Sequence, residues 1–161
     1  MEIVTVSEDN LQLFSNVLIE AAEWLSSIGK PMWKASDLST QKLLEKYSIE
    51  EMKLCYENKS LLGVYIIQWL DPLFWPELKK DDSGYLHKLA VCREHSGKEY
   101  GRKLIQSAEQ LCKERNIKWL RLNCGTYRQK LRNFYENAGF KMLDRVFVDN
   151  RDQIRYIKEI V

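Results

Sequence analysis

Histidine, proline and cysteine are scarce in these 161 residues: two, three and four respectively. The cysteines, Cys55, Cys92, Cys112 and Cys124, are scattered and form no C-x-x-C pair. With only two histidines beside them, they make a poor match to the clustered ligands of a zinc site. A disulfide scaffold is equally out of place in a chain long enough to bury roughly 70% of its unfolded surface. Reduced, buried thiols are expected instead, and no metal. Charge of one sign is lacking too: 25 Lys and Arg against 23 Asp and Glu leave a net +2. That is not the concentrated positive excess of a nucleic-acid binder. No apolar run approaches the roughly 20 residues that cross a bilayer. The start, Met1-Glu2-Ile3-Val4, has neither the basic flank nor the apolar run of a signal peptide. Seven glycines and no Gly/Ser linker leave no seam in the chain. A single domain over residues 1–161 is expected, in the cytoplasm, with no membrane or nucleic-acid partner.

What is there is patterned. Glu2 to Val6 alternates as a short strand, and Ser7 is placed to cap a helix whose first turn holds Glu8 and Asp9. The stripe Leu11, Phe14, Leu18, Ala21, Leu25, Ile28 steps by three and four and marks one buried face. Gly29 and Pro31 end that helix. A loop over 32–38 and a short helix over 40–47 follow. Strands over 51–57 and 60–69 are joined by a tight turn at Asn58-Lys59, and the second is apolar on both faces, as a central strand is. Residues 71–83 read as a long aromatic loop. Next come a strand over 85–92, an amphipathic helix over 102–115, a strand over 119–124 and a helix over 128–138 closed by Gly139. A hairpin of 141–148 and 153–160 turns over Asp149-Asn150-Arg151-Asp152. The fold class is α/β, with α+β character: a central mixed sheet of about six to seven strands and helices on both faces. Strand 85–92, helix 102–115 and strand 119–124 make one crossover unit.

Chemistry concentrates where strand 85–92 gives way to the next helix. Gly97 and Gly101 sit in a short loop among Lys98, Arg102 and Lys103. Backbone N–H groups at a helix start, with glycines permitting close approach, can cradle a pyrophosphate. A capped turn on a solvated basic face would look the same.

Two landmarks then carry a resemblance. Leu86-His87-Lys88-Leu89-Ala90-Val91, with the loop up to Gly101-Arg102-Lys103-Leu104-Ile105, is similar to the acetyl-CoA segment of the GNAT superfamily of N-acetyltransferases. Its frame is a Leu-Ala-Val strand end followed by Q/R-x-x-G-x-G/A. Leu131-Arg132-Asn133-Phe134-Tyr135-Glu136-Asn137-Ala138-Gly139-Phe140 resembles the superfamily's F-Y-x-x-x-G-F helix end. The interval leaves room for one helix and one strand, and the match covers residues 85–140. The resemblance implies the GNAT fold and an acetyl-CoA site made by Leu89, Ala90, Val91, Ser96, Gly97, Lys98, Glu99, Tyr100, Gly101, Arg102 and Lys103, with Arg128 and Phe134. Three positions depart from the pattern. Ser96 replaces Gln or Arg, Glu99 stands at the first loop glycine, and Arg128 stands where an Asn often meets the pantetheine arm. Glu99 sets a carboxylate beside the expected pyrophosphate.

Acetyl transfer to an amine requires removal of a proton from the amine, polarisation of the thioester carbonyl, and protonation of the departing thiolate. The resemblance assigns the last role to Tyr135 and the carbonyl to the N–H of Leu89 or Val91. The residues alone also allow Tyr135 a packing role. The superfamily's glutamate base falls near Tyr85, and two residues on, His87 shares that strand face. An ordinary imidazole titrates near pH 6.5 and suits proton abstraction. A water chain would serve as well. His95 is expected to face solvent. Trp33 and Trp75 fall in loops and are candidates for the wall of an acceptor pocket. Two functions remain open. One is a cytoplasmic N-acetyltransferase acting on a small-molecule amine or peptide acceptor, with a homodimer implied by resemblance. The other is a non-catalytic acyl-CoA-binding sensor or scaffold.

Overall fold

The structure is a computed structural model and describes residues 1–161. Seven strands lie in the order β1-β2-β3-β4-β5-β7-β6: β1 Glu2–Thr5, β2 Met52–Glu57, β3 Ser60–Gln68, β4 Gly84–Val91, β5 Trp119–Gly125, β6 Lys141–Val148 and β7 Arg151–Glu159. The sheet is mixed. β4 pairs with β5 in parallel, whereas β1–β2, β2–β3, β5–β7 and β6–β7 are antiparallel. Four helices complete it: α1 Leu11–Ser27, α2 Thr40–Lys46, α3 Tyr100–Glu114 and α4 Gln129–Asn137. No helix is long and apolar enough to cross a membrane. The chain falls into two compact units, Met1–Ile67 with Lys88–Ser107, and Gln68–His87 with Ala108–Val161.

In the first unit the core gathers Phe14, Val17 and Leu18 of α1, Leu43 of α2, Met52 and Leu54 of β2, Val64 and Ile66 of β3, and Ala90 of β4. Residues 62–67 of β3 are all buried, as a strand covered on both faces must be. Gly63 is the gap in that run, because a Cβ there would lie 2.4 Å from the Ala90 carbonyl oxygen and 2.7 Å from Leu104 Cδ1. Ser107 lies buried on α3, its hydroxyl donating to Leu104 O at 2.7 Å and accepting from the Tyr65 hydroxyl at 2.9 Å. In the second unit Phe74, Trp75 and Tyr85 pack with Leu78, Val148 and Ile157. All four cysteines are free and buried.

Two element ends and one buried face differ here from the expectation. Ser7 does not cap α1. Its N–H donates to Asn10 Oδ1 at 2.7 Å, which fixes residues 7–10 as a turn, so the helix starts at Leu11 and leaves Glu8 and Asp9 outside it. The α1 stripe is buried only in its first half, and Ile28 is exposed. The final hairpin turns on Asp149 and Asn150 alone, at φ 53° and 59°. Two left-handed residues make a tight I′-type loop, and Asp and Asn tolerate that conformation.

Candidate active site

β4 is straight only as far as His87. Lys88 has φ 49°, left-handed and costly for a side chain, so the pleat breaks immediately before Leu89-Ala90-Val91. This is the stretch to which the carbonyl-polarising N–H was assigned. The Lys88 ammonium lies 5.1 Å from the Trp33 ring centroid, and Trp33 packs against the first unit's core. Beyond the strand, Cys92 N–H donates to Leu62 O at 2.8 Å, and a 3-10 turn runs over Arg93–His95.

Gly97 follows at φ +76°, with nothing within 4 Å of where a Cβ would be. Conformation, not crowding, requires glycine there. α3 begins at Tyr100, two residues earlier than expected, with Lys103 N–H donating to Glu99 O at 3.3 Å. The amides ahead of that bond belong to the first helical turn, where the helix offers no acceptor. Ser96, Lys98, Glu99 and Arg102 are exposed, Tyr100 and Lys103 half-buried, and Gly101 buried. The residues assigned to the cradle thus form one continuous turn.

Two side chains there behave otherwise than expected. Lys103 is not directed freely at an incoming anion: its ammonium holds both Glu57 oxygens at 2.8 and 3.0 Å, above the Tyr100 ring. That bond also holds the Glu57 carboxyl below the usual range. His95 is not solvent-facing. Its Nε2 lies 3.1 Å from Ser60 Oγ and its ring stands edge-on to Tyr100, which braces the loop against the start of β3.

Glu99 joins no ion pair. It sits beside Lys98 with its charge unanswered by a structural partner. Glu99→Gly is therefore expected to tighten binding of CoA by about two- to five-fold at low salt, less as salt rises. Calorimetric titration of both proteins checks this, and unchanged or weaker affinity rejects it.

In the second unit, Arg128 precedes α4, its N–H donating to Gly125 O at 3.1 Å and its side chain lying along Gly125. Tyr135 is buried on α4 among Phe134, Phe140 and Tyr156, with ring centroids 5.3, 5.8 and 6.4 Å away. Burial pushes its phenol well above the ordinary range, so it stays protonated at any physiological pH. The nearby Cys124 thiol is likewise pushed up by burial to about 11. Tyr156 donates to Glu136 Oε1 at 2.8 Å and accepts from Arg132 Nε at 3.0 Å.

His87 lies in the same unit, its side chain 16% exposed and its Nε2 3.2 Å from Asp71 Oδ2. Asp71 was read only as the start of a long aromatic loop. The only sequence signal for it is a carboxylate directly after an apolar strand in a chain with two histidines. Trp75, expected at a pocket wall, is fully buried instead. Its ring is flanked by the guanidiniums of Arg155 at 4.4 Å and Arg121 at 5.0 Å. Burial pulls the Arg121 guanidinium below its usual range. Arg155, unnoticed in the sequence, is the clasp of this unit. It holds Asp144 at 2.7 and 2.6 Å, Glu77 at 2.6 Å and the Phe74 carbonyl at 2.9 Å.

Comparison with known proteins completes the picture. Residues 18–140 match the model of the acetyltransferase (GNAT) family. The uncharacterized N-acetyltransferase YesJ of Bacillus subtilis is 26% identical over 145 residues, covering 84% of this chain and 78% of that protein. A GNAT-family acetyltransferase structure from Listeria monocytogenes superposes with TM-score 0.79 at 24% identity, over 98% of this chain and 94% of that one. The aminoglycoside acetyltransferase AAC(6')-Ib, solved with coenzyme A and kanamycin, gives TM-score 0.76 at 14% identity, over 98% and 93%. With its mixed seven-stranded sheet and a family match over most of its length, this chain belongs to the acetyltransferase (GNAT) family and is an acyltransferase.

Proposed function

We propose that the protein, acting as a single domain, transfers an acetyl group from acetyl-CoA to a primary amine of a small molecule or peptide. The observation that carries this is the turn from β4 into α3. A left-handed, uncrowded Gly97, a buried Gly101 and a fifteen-residue helix starting at Tyr100 put first-turn amides that have no helical acceptor next in sequence to the exposed Lys98 and Arg102. Such a cradle suits a pyrophosphate. Ser96 to Gly101, with Arg102, would hold the nucleotide end of acetyl-CoA; Leu89 to Val91 would lie along its acyl arm. Bound there, acetyl-CoA supplies an activated acyl group and a thiol leaving group. The Leu89 or Val91 N–H polarises the acyl carbonyl after the break at Lys88. The Tyr135 phenol, kept protonated by burial, donates the proton the thiolate needs. His87 removes the proton from the amine. That the acceptor is an amine draws support from the names of YesJ and of the kanamycin-bound enzyme. Four free buried thiols fit a reducing cytoplasm. The exposed apolar side chains of the edge strand β6, Met142, Leu143 and Phe147, would suit a second copy of the chain.

Acetyl-CoA is expected to stabilise the fold, since the cradle exists only in the native state. At ~100 Kd, linkage gives roughly 2.7 kcal/mol. At about 2–4 °C per kcal/mol for a chain of this size, Tm rises by about 5–10 °C. No shift at millimolar acetyl-CoA, or an equal one with adenine, removes the cradle. Thiol release from acetyl-CoA with kanamycin, phenethylamine and a glycine-terminated peptide tests transfer itself. Binding without release on any of them leaves no amine transferase.

A further inference from the structure

A cavity of about 380 Å³ opens within the first unit, between α1 and the adjoining ends of β3 and β4. Small-molecule sites occupy roughly 300–1,000 Å³, so its size suits a modest ligand. Its floor is apolar: Leu13 and Val17 of α1, Leu61 of β3, and Cys92 directly after β4. Cys92 shares a core with α1, whereas Gly63 on β3 faces Leu104 of α3, which puts the cavity on the side of the sheet away from α3. Two carboxylates complete the lining, Glu20 from α1 and Glu94 from the turn after β4. Both act on the same thiol: burial, and after it Glu20 and Glu94, push Cys92 up to about 11, so it stays protonated and behaves as a small apolar group. Glu20 joins no ion pair. Glu94 Oε1 lies 3.4 Å from His95 Nε2. Arg93 is the one cation of the lining, and its guanidinium stacks on the Trp24 ring, 3.6 Å from the centroid. Two carboxylates against one guanidinium leave the lining a single negative charge.

We propose that this cavity is a ligand site separate from the cradle, that it takes a small monoamine, and that filling it tightens CoA binding. The apolar body of the ligand lies on Leu13, Val17 and Leu61, and its ammonium meets Glu20 and Glu94. An ammonium offers N–H donors to both carboxylates and brings the lining to neutrality. A neutral or anionic ligand of the same shape does neither. The link to CoA runs through Glu94. It belongs to the turn Arg93–His95, which leads through Gly97 to α3, and His95 beside it stands edge-on to Tyr100, the first residue of that helix. Answering the charge of Glu94 removes a negative charge from the approach of an anionic cofactor. Linkage is reciprocal, so CoA tightens the amine by the same factor. This linkage rests on the cradle proposed above; the amine site does not.

The probes are phenethylamine, phenethyl alcohol and hydrocinnamate, which join a phenyl ring to a positive, a neutral and a negative end. Each is titrated into methyl-labelled protein in the absence of CoA, and the methyl resonances of Leu13, Val17 and Leu61 are followed, so that binding elsewhere is not counted. Phenethylamine is expected to shift all three saturably, with the other probes weaker by about ten-fold. Glu20→Gln changes an exposed helix position and is expected to weaken the amine about five-fold while leaving the fold intact. Calorimetry with CoA, which carries no acyl group to transfer, is expected to show about three-fold tighter binding at saturating phenethylamine, a small coupling because Glu94 is exposed. In Glu94→Gln that gain disappears. Methyl resonances that stay in place at millimolar amine overturn the proposal. So do equal shifts with the alcohol, which make the cavity an apolar crevice, and tighter binding of hydrocinnamate, which gives the site to Arg93. Amine binding that leaves CoA affinity unchanged overturns it as well. If CoA itself does not bind, the cradle and the linkage fall together, and the methyl titration still decides the amine site.

Discussion

Tyr135→Phe is expected to lower kcat by about 100-fold and to leave both the fold and acetyl-CoA affinity in place. The phenol is buried, and burial holds its proton against ionisation. A group in that state is a donor when a thiolate develops beside it. The ring contacts with Phe134, Phe140 and Tyr156 survive in Phe, so stability should move little. A positioned general acid contributes roughly 10²–10⁴-fold, or about 3–5 kcal/mol of barrier. CoA is a good leaving group and water can partly replace the phenol, which sets the expectation at the lower end. Steady-state turnover, an acetyl-CoA titration and a melting curve on both proteins make the test. A stable variant with normal affinity that keeps more than about a third of the wild-type kcat makes Tyr135 a packing residue, since loss of a general acid costs ~10²-fold or more.

Gly63→Ala costs about 3 kcal/mol, at the upper end of what overpacking a core does. The new methyl would meet the Ala90 carbonyl oxygen at 2.4 Å and Val91 Cα at 3.1 Å, both backbone, so no rotamer change relieves the clash. Leu104 Cδ1, at 2.7 Å, belongs to the first turns of α3. Moving it moves the helix start that carries Gly101 and Arg102. The expected result is a fall in Tm of about 6–12 °C, together with weaker acetyl-CoA binding. Urea unfolding and ligand titration read the two effects. An unchanged midpoint would mean that β3 and β4 separate without strain.

Most of the element order was legible, because apolar spacing reports burial directly. β3, with its unbroken run Leu62 to Ile67, was placed to within a residue. Strands β4 and β5 and the helix end at Gly139 were read just as closely, while α3 starts two residues before the expected position. Boundaries failed where a side chain bonded locally. Asn10 accepting from Ser7 moved the start of α1, a contest between two polar residues that spacing cannot decide. In the site, Gly97 and the loop around it could be read because glycine and charge are visible in sequence. The partner of Lys103 could not, since Glu57 is 46 residues away on β2. Asp71 and His87 were missed as a pair for the same reason: each looks ordinary until the fold brings the loop beside the strand. Trp75 misled because a tryptophan in a loop suggests a surface. The two guanidiniums flanking it cover the ring, and they come from β5 and β7.

Arg155 gives the second unit an order of assembly. Its bonds to the Phe74 carbonyl and to Glu77 span 81 and 78 residues of chain, whereas its bonds to Asp144 span 11. Contacts of short reach close early and long ones late, because loop closure costs more entropy as the loop lengthens. On a ribosome, the hairpin β6–β7 must emerge before the segment 71–83 can be fastened. Until then nothing from β7 holds the segment that presents Asp71 to His87. The nascent chain can therefore close the turn from β4 into α3, all of whose residues lie before position 108, while the segment that carries Asp71 is still loose.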